Sequence, residues 1–495
     1  MTETHPDSIS PTLTQALIPT CALIGLLSLS VFLFGEDSSY GANQIALIIT
    51  AFIAIAIGMK NGIRWHEIEA ALYQGINLAL GAVLILLAVG SLIGSWILSG
   101  TVPAMIYYGL KLMDPTWFYA SSCVVCALVA LSIGSSWTVA GTIGIGLIGV
   151  AGGLGLSMEI TAGAIISGAY FGDKLSPLSD TTNLAPASVG VGLFEHIRHL
   201  LWTTVPAVLI ALVAFIIIGL NDDVATDNQQ IETLLQQLES HFSISPILLL
   251  PLLVVMALAW KRVPAFPSII IGAITGSLFA LIFQREVIVE FVGDSTLAPM
   301  LVLIKGVWIV LFDGFKADTG NSVLDNLLSR GGMSSMLNTI WLIISAMVFG
   351  AAMEKGGFLK RLIQGALALA HSSTSLIIIT LFTCIGANIV TADQYISIIL
   401  PGRMYKLEYA RRGLAAINLS RALEDSGTVT SPLIPWNTCG AYMAGTLGVA
   451  TIAYLPYCIF NLVTPLIAMT YALLNFQIVP MTDNGSSTLA HEGLA

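Results

Sequence analysis

The sequence predicts an all-α polytopic membrane protein built from two inverted repeats, each with a re-entrant hairpin and a broken helix. Of its 495 residues, 56% are hydrophobic and 10% are charged, with a mean hydropathy of +0.87, whereas soluble domains average about 25% charged residues. Apolar runs of roughly 20 residues, the length that crosses a bilayer, recur along the chain. Similar polar interruptions occur in both halves, which indicates a duplication. We therefore expect about 10 crossings plus two hairpins.

The first repeat is predicted at residues 16–220, after an N-terminal tail at 1–15. The tail has no basic segment ahead of the first apolar run, so a cleaved signal peptide is not expected. The hydropathy pattern predicts crossings at about 16–34, 43–59 and 76–98, an amphipathic link at 65–74, an interfacial segment at 102–113, a short helix at 189–196 and a crossing at 200–220.

The apolar segment at 117–153 is interrupted near its middle by Gly134, Ser135 and Ser136. Two half-length helices that meet at a small polar tip predict a re-entrant hairpin. The alternative is one long helix whose small residues allow close packing. Only the hairpin returns the chain to the side from which it entered.

A polar stretch at 167–190 lies between apolar segments. Pro177 and Pro186 are predicted to break the helix there, which frees backbone carbonyls. Non-helical backbone at membrane depth is tolerated only inside protein or beside water, and ionisable groups there mark a functional site. The alternative is an ordinary polar loop at the membrane surface.

An acidic linker is predicted at 221–243, as a loop with a short helix. The second repeat follows at 244–475, and a polar tail at 476–495 ends the chain. Polar or small residues interrupt the second repeat at 386–388 and at 391–393, which predicts a second hairpin, and at 424–437, which predicts a second broken helix.

Three features suggest the register of the two halves, and their offsets are 256, 252 and 255 residues for the pairs Gly94 and Gly350, Gly134 and Gly386, and Ser176 and Ser431. If the N-terminus is cytoplasmic, nearly every basic cluster falls on the cytoplasmic side, as the positive-inside rule requires. An odd number of crossings, about five per half, then inverts the second copy. Inverted repeats with broken helices at the midplane are typical of secondary transporters.

Small hard cations take oxygen ligands from carboxylates, hydroxyls and backbone carbonyls. The breaks and hairpin tips supply such oxygens, and we predict ion-binding roles for Asp180, Asp173, Ser176, Thr181, Thr182, Asn183, Asp393, Asp425, Thr428, Thr430, Ser431, Ser135, Ser136 and Asn388. A carboxylate removed from water binds a proton more readily, so a proton competes there with Na+. We rank Asp180 first as coupling carboxylate and Na+ ligand, then Asp173 in both roles, then Asp425 as a coupling carboxylate.

Two basic residues lie close to these acids in the sequence. Lys174 directly follows Asp173, and a structural ion pair between them is an alternative interpretation. Arg421 is an alternative partner for Glu424. An organic anion would need such a positive group, so Na+- or H+-coupled exchange of small carboxylates or amino acids stays open.

Other chemistries find little support in the sequence. The HExxH and GxSxG motifs of zinc proteases and serine hydrolases are absent. The six cysteines are scattered through apolar segments, which favours buried packing over zinc or disulfide roles. We predict a protein that is not an enzyme, with no cofactor beyond transported Na+ and H+ and no nucleic-acid partner.

The string GDKLSPLSDTTNLAP at 172–186, together with the polar break at 424–437, resembles the NhaC-type sodium/proton antiporter family of the ion transporter superfamily. The resemblance extends from about residue 16 to 475. It implies Na+/H+ exchange at a shared carboxylate by alternating access, with a scaffold domain and a mobile transport domain in an elevator-like motion. It also implies a homodimer in the bacterial cytoplasmic (inner) membrane. The family includes a malate/lactate exchanger, so the alternative substrates stay open.

Overall fold

The computed structural model describes residues 10–222 and 228–481. Across these residues the regular structure is helical, apart from an isolated bridge between Leu414 and Pro480. Nine of the described helices are long and apolar enough to cross a membrane, or up to eleven helices if each of two sharply bent pairs counts as one span. The prediction of an all-α polytopic membrane protein is confirmed.

The described residues of the first half and the linker form eleven α-helices. They are α1 (Leu13–Phe34), α2 (Ala42–Lys60), α3 (Trp65–Leu98), α4 (Thr101–Leu112), α5 (Phe118–Ile133), α6 (Ser136–Val139), α7 (Ile145–Gly153), α8 (Met158–Leu175), α9 (Asp180–Val189), α10 (Leu193–Asn221) and α11 (Asn228–His241). A π-helical turn, Ala140–Gly144, joins α6 to α7.

The second half contains thirteen α-helices. They are α12 (Leu250–Trp260), α13 (Ala265–Phe283), α14 (Arg285–Val292), α15 (Pro299–Phe312), α16 (Ser322–Leu328), α17 (Leu337–Lys355), α18 (Phe358–Leu367), α19 (Ser373–Thr391), α20 (Gln394–Arg411), α21 (Ala416–Leu423), α22 (Thr438–Leu447), α23 (Thr451–Tyr454) and α24 (Ile459–Leu473). The π-helical turn Glu424–Thr428 continues α21.

Two predicted boundaries in the first half are wrong. The expected link at 65–74 and the crossing at 76–98 form the single 34-residue helix α3, which at 1.5 Å per residue is longer than the roughly 30 Å bilayer core. Gly75 does not end this helix but allows α17 to approach, since a Cβ there would lie 2.7 Å from the Cβ of Ala351. Likewise, the short helix expected at 189–196 and the crossing at 200–220 are merged in α10.

The helix ends indicate a different register for the duplication from the one predicted. Four pairs of helix-capping residues are each separated by 258 positions. Two pairs are C-caps in the left-handed conformation, Gly134 with Ala392 and Gly190 with Gly448, and two pairs are N-caps, Ser135 with Asp393 and Ser179 with Asn437. The predicted offsets came from aligning identical residue types in the two halves, and identical residues do not mark the equivalent helix ends. A constant offset at four helix ends supports the duplication, and the inverted relation of the halves stays a prediction.

Hydrogen bonds between loops follow the predicted grouping by side of the membrane. They join Gln15 to Asn61 and Ala415 to Val479 on the predicted cytoplasmic side, and Tyr119 to Asp222 and Asn321 to Gln237 on the predicted outer side. The first group neighbours the basic clusters of the sequence, and the second includes the acidic linker. The absolute orientation stays a prediction of the positive-inside rule.

Candidate functional site

The tip between α5 and α6 packs against the break between α8 and α9. Gly134 ends α5 in the left-handed conformation, and a Cβ there would lie 2.6 Å from the Cβ of Leu178. Asp173 joins the two from the other side, because its Oδ2 accepts hydrogen bonds from the Ser136 amide (3.1 Å) and hydroxyl (2.7 Å). One buried carboxylate therefore fixes the position of the tip.

The end of α8 is closed by polar residues of α9. The Thr182 hydroxyl lies 3.1 Å from the carbonyl oxygens of both Asp173 and Lys174, to which it donates. Asn183 is exposed and donates to the carbonyls of Pro177 (2.9 Å) and Ser179 (2.7 Å). The carbonyls that the break frees are thus largely bound by protein donors.

The prediction that Pro186 breaks the helix is wrong. Pro186 lies inside α9, which continues to Val189 and ends at Gly190 in the left-handed conformation. Proline removes one backbone donor, a loss that a ten-residue helix with a glycine cap tolerates. The break itself lies around Pro177, between Leu175 and Asp180.

The second tip lies between α19 and α20, and it is built differently from the first. The residue in the left-handed conformation is Ala392, and Asp393 then caps α20 by accepting a hydrogen bond from the Ile396 amide (3.0 Å). The predicted interruption at 386–388 is wrong, because α19 continues to Thr391. Asn388 instead donates from within that helix to the Gly427 carbonyl (2.6 Å).

A cavity of about 230 Å³ lies where the tips and the first break meet, and we call it the tip cavity. Its polar lining comes from Ser135, Ser136, Asp173, Ser179, Asp180, Thr181, Asp393, Gln394, Tyr395 and Thr438. Apolar lining comes from the middle of α3 and from Ala265 at the start of α13. No lysine or arginine is among the described residues that line it.

The three carboxylates of the tip cavity differ in exposure. Asp173 is 9% exposed and Asp393 is 7% exposed. Asp180, ranked first from the sequence on the expectation of burial, is exposed, and its Oδ2 accepts a 3.4 Å hydrogen bond from the Tyr395 hydroxyl. The assumption that Asp180 is buried is therefore wrong, while Asp173 fits the description given for a coupling carboxylate.

Asp425 belongs to a separate cluster. Its Oδ1 lies 2.5 Å from the Lys174 Nζ and 2.9 Å from the Thr203 hydroxyl, and both side chains of the ion pair are fully buried. One interpretation of the sequence was that Lys174 forms an ion pair with Asp173. That interpretation is wrong, because Lys174 pairs with Asp425. The pair joins the first break to the second, and it gives Asp425 a counter-ion within the protein.

Glu424 is a buried acid that the sequence analysis considered as a partner for Arg421 and did not include among the predicted ion-binding residues. It opens the π-helical turn Glu424–Thr428, it is fully buried, and neither of its carboxylate oxygens has a hydrogen-bond partner among the described residues. The proposed pairing with Arg421 is wrong, since Arg421 donates to the Gln477 carbonyl (3.1 Å). A π-turn within a helix often marks a functional position, but no signal in the sequence distinguished this one.

The structure thus divides the predicted ion-binding residues into two groups. Those in the tip cavity are Ser135, Ser136, Asp173, Asp180, Thr181 and Asp393. Those elsewhere in the fold are Ser176, Thr182, Asn183, Asn388, Asp425, Thr428, Thr430 and Ser431. Ser179, Gln394, Tyr395 and Thr438 line the cavity without having been predicted. Ser179 and Gln394 are direct sequence neighbours of predicted residues, and this proximity is the signal that could have identified them.

The chain matches the model of the Na+/H+ antiporter family over residues 168–476. It is 39% identical to the Na+/H+ antiporter NhaC of Alkalihalophilus pseudofirmus, over 88% of this chain and 91% of that relative. The chain belongs to the Na+/H+ antiporter family. The matched region includes the breaks of both broken helices and the second tip, and membership identifies the chain as a transporter.

Relatives in this family have different substrates. The chain is 36% identical to the malate-2H+/Na+-lactate antiporter of Bacillus subtilis, over 93% of this chain and 94% of that protein. It is 32% identical to the arginine/ornithine antiporter ArcD of Halobacterium salinarum, over 93% of this chain and 91% of that protein. The family and the described apolar helices make the chain a multi-pass integral membrane protein, for which the bacterial inner membrane is the family's usual location.

Proposed function

We propose that the chain exchanges Na+ for H+ and that Na+ binds in the tip cavity. The observation that carries the proposal is the chemistry of this cavity: three carboxylates and several hydroxyls, with no basic side chain among its described lining residues. Oxygen ligands of this kind suit a small hard cation. Lys174, which lies at the break, is paired with Asp425 and not with a carboxylate of the cavity.

Asp173 is the carboxylate that we propose Na+ and the proton share. Its Oδ2 is held by two hydrogen bonds from Ser136, and the side chain lines the cavity. An ionised carboxylate withdrawn from water needs a compensating charge. Either Na+ or a proton supplies that charge, so the binding of one displaces the other. Asp180 and Asp393 line the same cavity, with Asp180 on its exposed side. No three acidic side chains among the described residues are placed to hold one ion together, so hydroxyl oxygens would complete the coordination.

We further propose that access to the cavity alternates through an elevator-like motion. The cavity is bounded on one side by the middle of α3 and the start of α13, and on the other by the two tips and α9. A displacement of the second group along the first would change which side of the membrane reaches the site. We expect the protein to form a homodimer. In it, α3 and α13, which form the apolar wall of the tip cavity, would belong to the part that does not move.

Exchange of a small carboxylate or amino acid is the second candidate. It is favoured by the two relatives named for malate, lactate, arginine and ornithine. A carboxylate substrate in the tip cavity would need a positive partner, and Lys174 is already paired with Asp425. The composition of the tip cavity therefore supports the cation.

Flux in proteoliposomes distinguishes the two candidates. In liposomes that contain the purified protein, a pH gradient should drive Na+ across the membrane in the direction opposite to the proton flux. This flux should not require malate, lactate or an amino acid. Replacing Asp173 with Asn should abolish this flux, whereas Asp318→Asn, at an exposed residue outside the cavity, should not change it. Na+ flux that requires an added organic substrate would contradict the proposal and support the second candidate.

A further inference from the structure

A second and larger cavity, of about 470 Å³, lies at the opposite end of α22 from the tip cavity, and we call it the Arg330 cavity. Within α22, Thr438 at its start lines the tip cavity, whereas Ala441 and later residues line the larger one, to which Pro435 before the helix also contributes. Its other walls come from α3, from the start of α17 and from the loops that flank α16. The proposed Na+/H+ exchange does not use this cavity.

Arg330 carries a positive charge that no acid of the described chain neutralises. Its side chain makes one hydrogen bond there, from Nη1 to the Leu447 carbonyl at the end of α22 (3.3 Å). That contact caps the helix, but a guanidinium has five N–H donors. Asp313, the one acid among the described residues that line the cavity, is paired with Lys316 (3.0 Å). The charged groups lining the cavity therefore sum to one excess positive charge.

An uncompensated charge in a membrane protein is costly unless it faces water or a partner. Arg330 is partly buried and lines the cavity, so an anion in the cavity would supply the missing charge. The flat guanidinium fits a carboxylate through two parallel hydrogen bonds. Thr339, which is partly buried, and Tyr40, which is 73% exposed, also line the cavity, and each carries a hydroxyl that can donate a hydrogen bond to a carboxylate.

The rest of the lining indicates an organic anion. Phe315, Leu342 and Val449 contribute apolar surface beside the polar groups, and ligand pockets typically combine such surface with a few polar groups. The volume also lies within the range of about 300–1,000 Å³ that small-molecule sites span. An inorganic oxyanion would leave this apolar surface without a contact.

We propose that the Arg330 cavity is a binding site for a small organic carboxylate, with Arg330 as its counter-ion. The Thr339 and Tyr40 hydroxyls donate to the lone pairs of the two carboxylate oxygens that the guanidinium leaves free, and the apolar wall holds the carbon chain. This site is separate from the Na+ site, so the two proposals can fail independently.

Calorimetric titration of the purified full-length chain in lipid nanodiscs tests this site. Succinate and lactate are the probes, and sulfate and phosphate at equal ionic strength are the inorganic comparison. We expect saturable binding of a carboxylate probe that Arg330→Gln weakens roughly tenfold or more, as for the loss of charge-assisted hydrogen bonds. Thr339→Val should weaken it by a smaller factor.

Two control variants should bind as the wild type does. Arg285→Gln removes an arginine that also donates to a helix carbonyl, that of Leu281 (2.9 Å), but lies outside the cavity. Asp173→Asn disables the proposed Na+ site and should leave carboxylate binding unchanged. If Arg330→Gln does not fold, Arg330→Lys, which keeps the charge and loses the two-point contact, should weaken binding in its place.

Three results would overturn the proposal. One is the absence of saturable binding of either carboxylate at millimolar concentration. Another is unchanged binding in folded Arg330→Gln or Arg330→Lys protein. The third is a finding that sulfate or phosphate binds as tightly as the carboxylates, because the cavity would then show no preference for an organic anion.

Discussion

The Lys174 Nζ lies 2.5 Å from the Asp425 Oδ1, and this ion pair joins the two broken helices across 251 positions of the chain. Both side chains are fully buried. The contact fixes the end of α8 against the π-helical turn that follows α21. It also leaves the carboxylates of the tip cavity without a basic partner among the residues that line it.

Removing one member of this pair should destabilise the protein strongly. Lys174→Gln or Asp425→Asn leaves one buried charge uncompensated, which typically costs about 3–5 kcal/mol. The double variant removes both charges and should be less destabilised than the sum of the single changes. Thermal unfolding in detergent measures this, and additive effects of the two substitutions would contradict the pairing.

Gly134→Ala should disrupt the first tip and abolish transport. An added Cβ would lie 2.6 Å from the Leu178 Cβ and 2.9 Å from the Ser179 nitrogen, and the backbone has φ of +76°, which residues other than glycine rarely adopt. Gly386→Ala is the matched control, because a Cβ there would have nothing within 4 Å and α19 is continuous at that point. Equal loss of flux in both variants would contradict the placement of the tips.

Thr182→Val should destabilise the first break. Two backbone carbonyls, those of Asp173 and Lys174, would lose their hydroxyl donor, and each unsatisfied buried group costs about 1–3 kcal/mol. Thr275→Val is the control, since Thr275 is only partly buried and donates to the carbonyl four residues earlier in its own helix. The unfolding midpoint in detergent should fall for the first variant alone. A midpoint unchanged by Thr182→Val would mean that the hydroxyl does not close the helix end.

Cysteine labelling from outside the cell tests the orientation. The positive-inside rule places α11 outside and the end of α20 in the cytoplasm. A membrane-impermeant thiol reagent should therefore modify Glu232→Cys but not Arg411→Cys, both of which replace exposed side chains. The native cysteine that is exposed, Cys21, would be replaced by Ser in both proteins. Labelling of Arg411→Cys in intact cells would reverse the predicted orientation.

Features with a local cause could be predicted from the sequence. The break around Pro177 and the tip at Gly134 depend on residues that cannot continue a helix, and both lie where the sequence indicated. Gly386 misled the same reasoning, because an isolated glycine costs a helix only about 1 kcal/mol. The helix continues past Gly386 and ends at Ala392, which is in the left-handed conformation. That conformation could not be predicted from an alanine.

Properties that depend on distant parts of the chain could not be predicted. Lys174 has an acid beside it in the sequence, Asp173, yet it pairs with Asp425 from the other half. Nothing in the sequence indicates which of these two acids pairs with Lys174. The exposure of Asp180 and the burial of Asp173 likewise depend on how Ser136 and Tyr395 arrive from two separate tips.

The central claim is that Na+ and a proton compete for Asp173, and the pH dependence of Na+ affinity tests it most directly. In purified protein, the apparent Na+ affinity should weaken toward acid pH, approaching roughly tenfold per pH unit once the proton is the dominant ligand. Asp173→Asn should lose this pH dependence and Na+-driven proton movement while remaining folded, whereas Asp180→Asn should weaken Na+ binding and keep the pH dependence. An Asp173→Asn protein that exchanges Na+ at the wild-type rate, with the wild-type pH profile, would contradict the account.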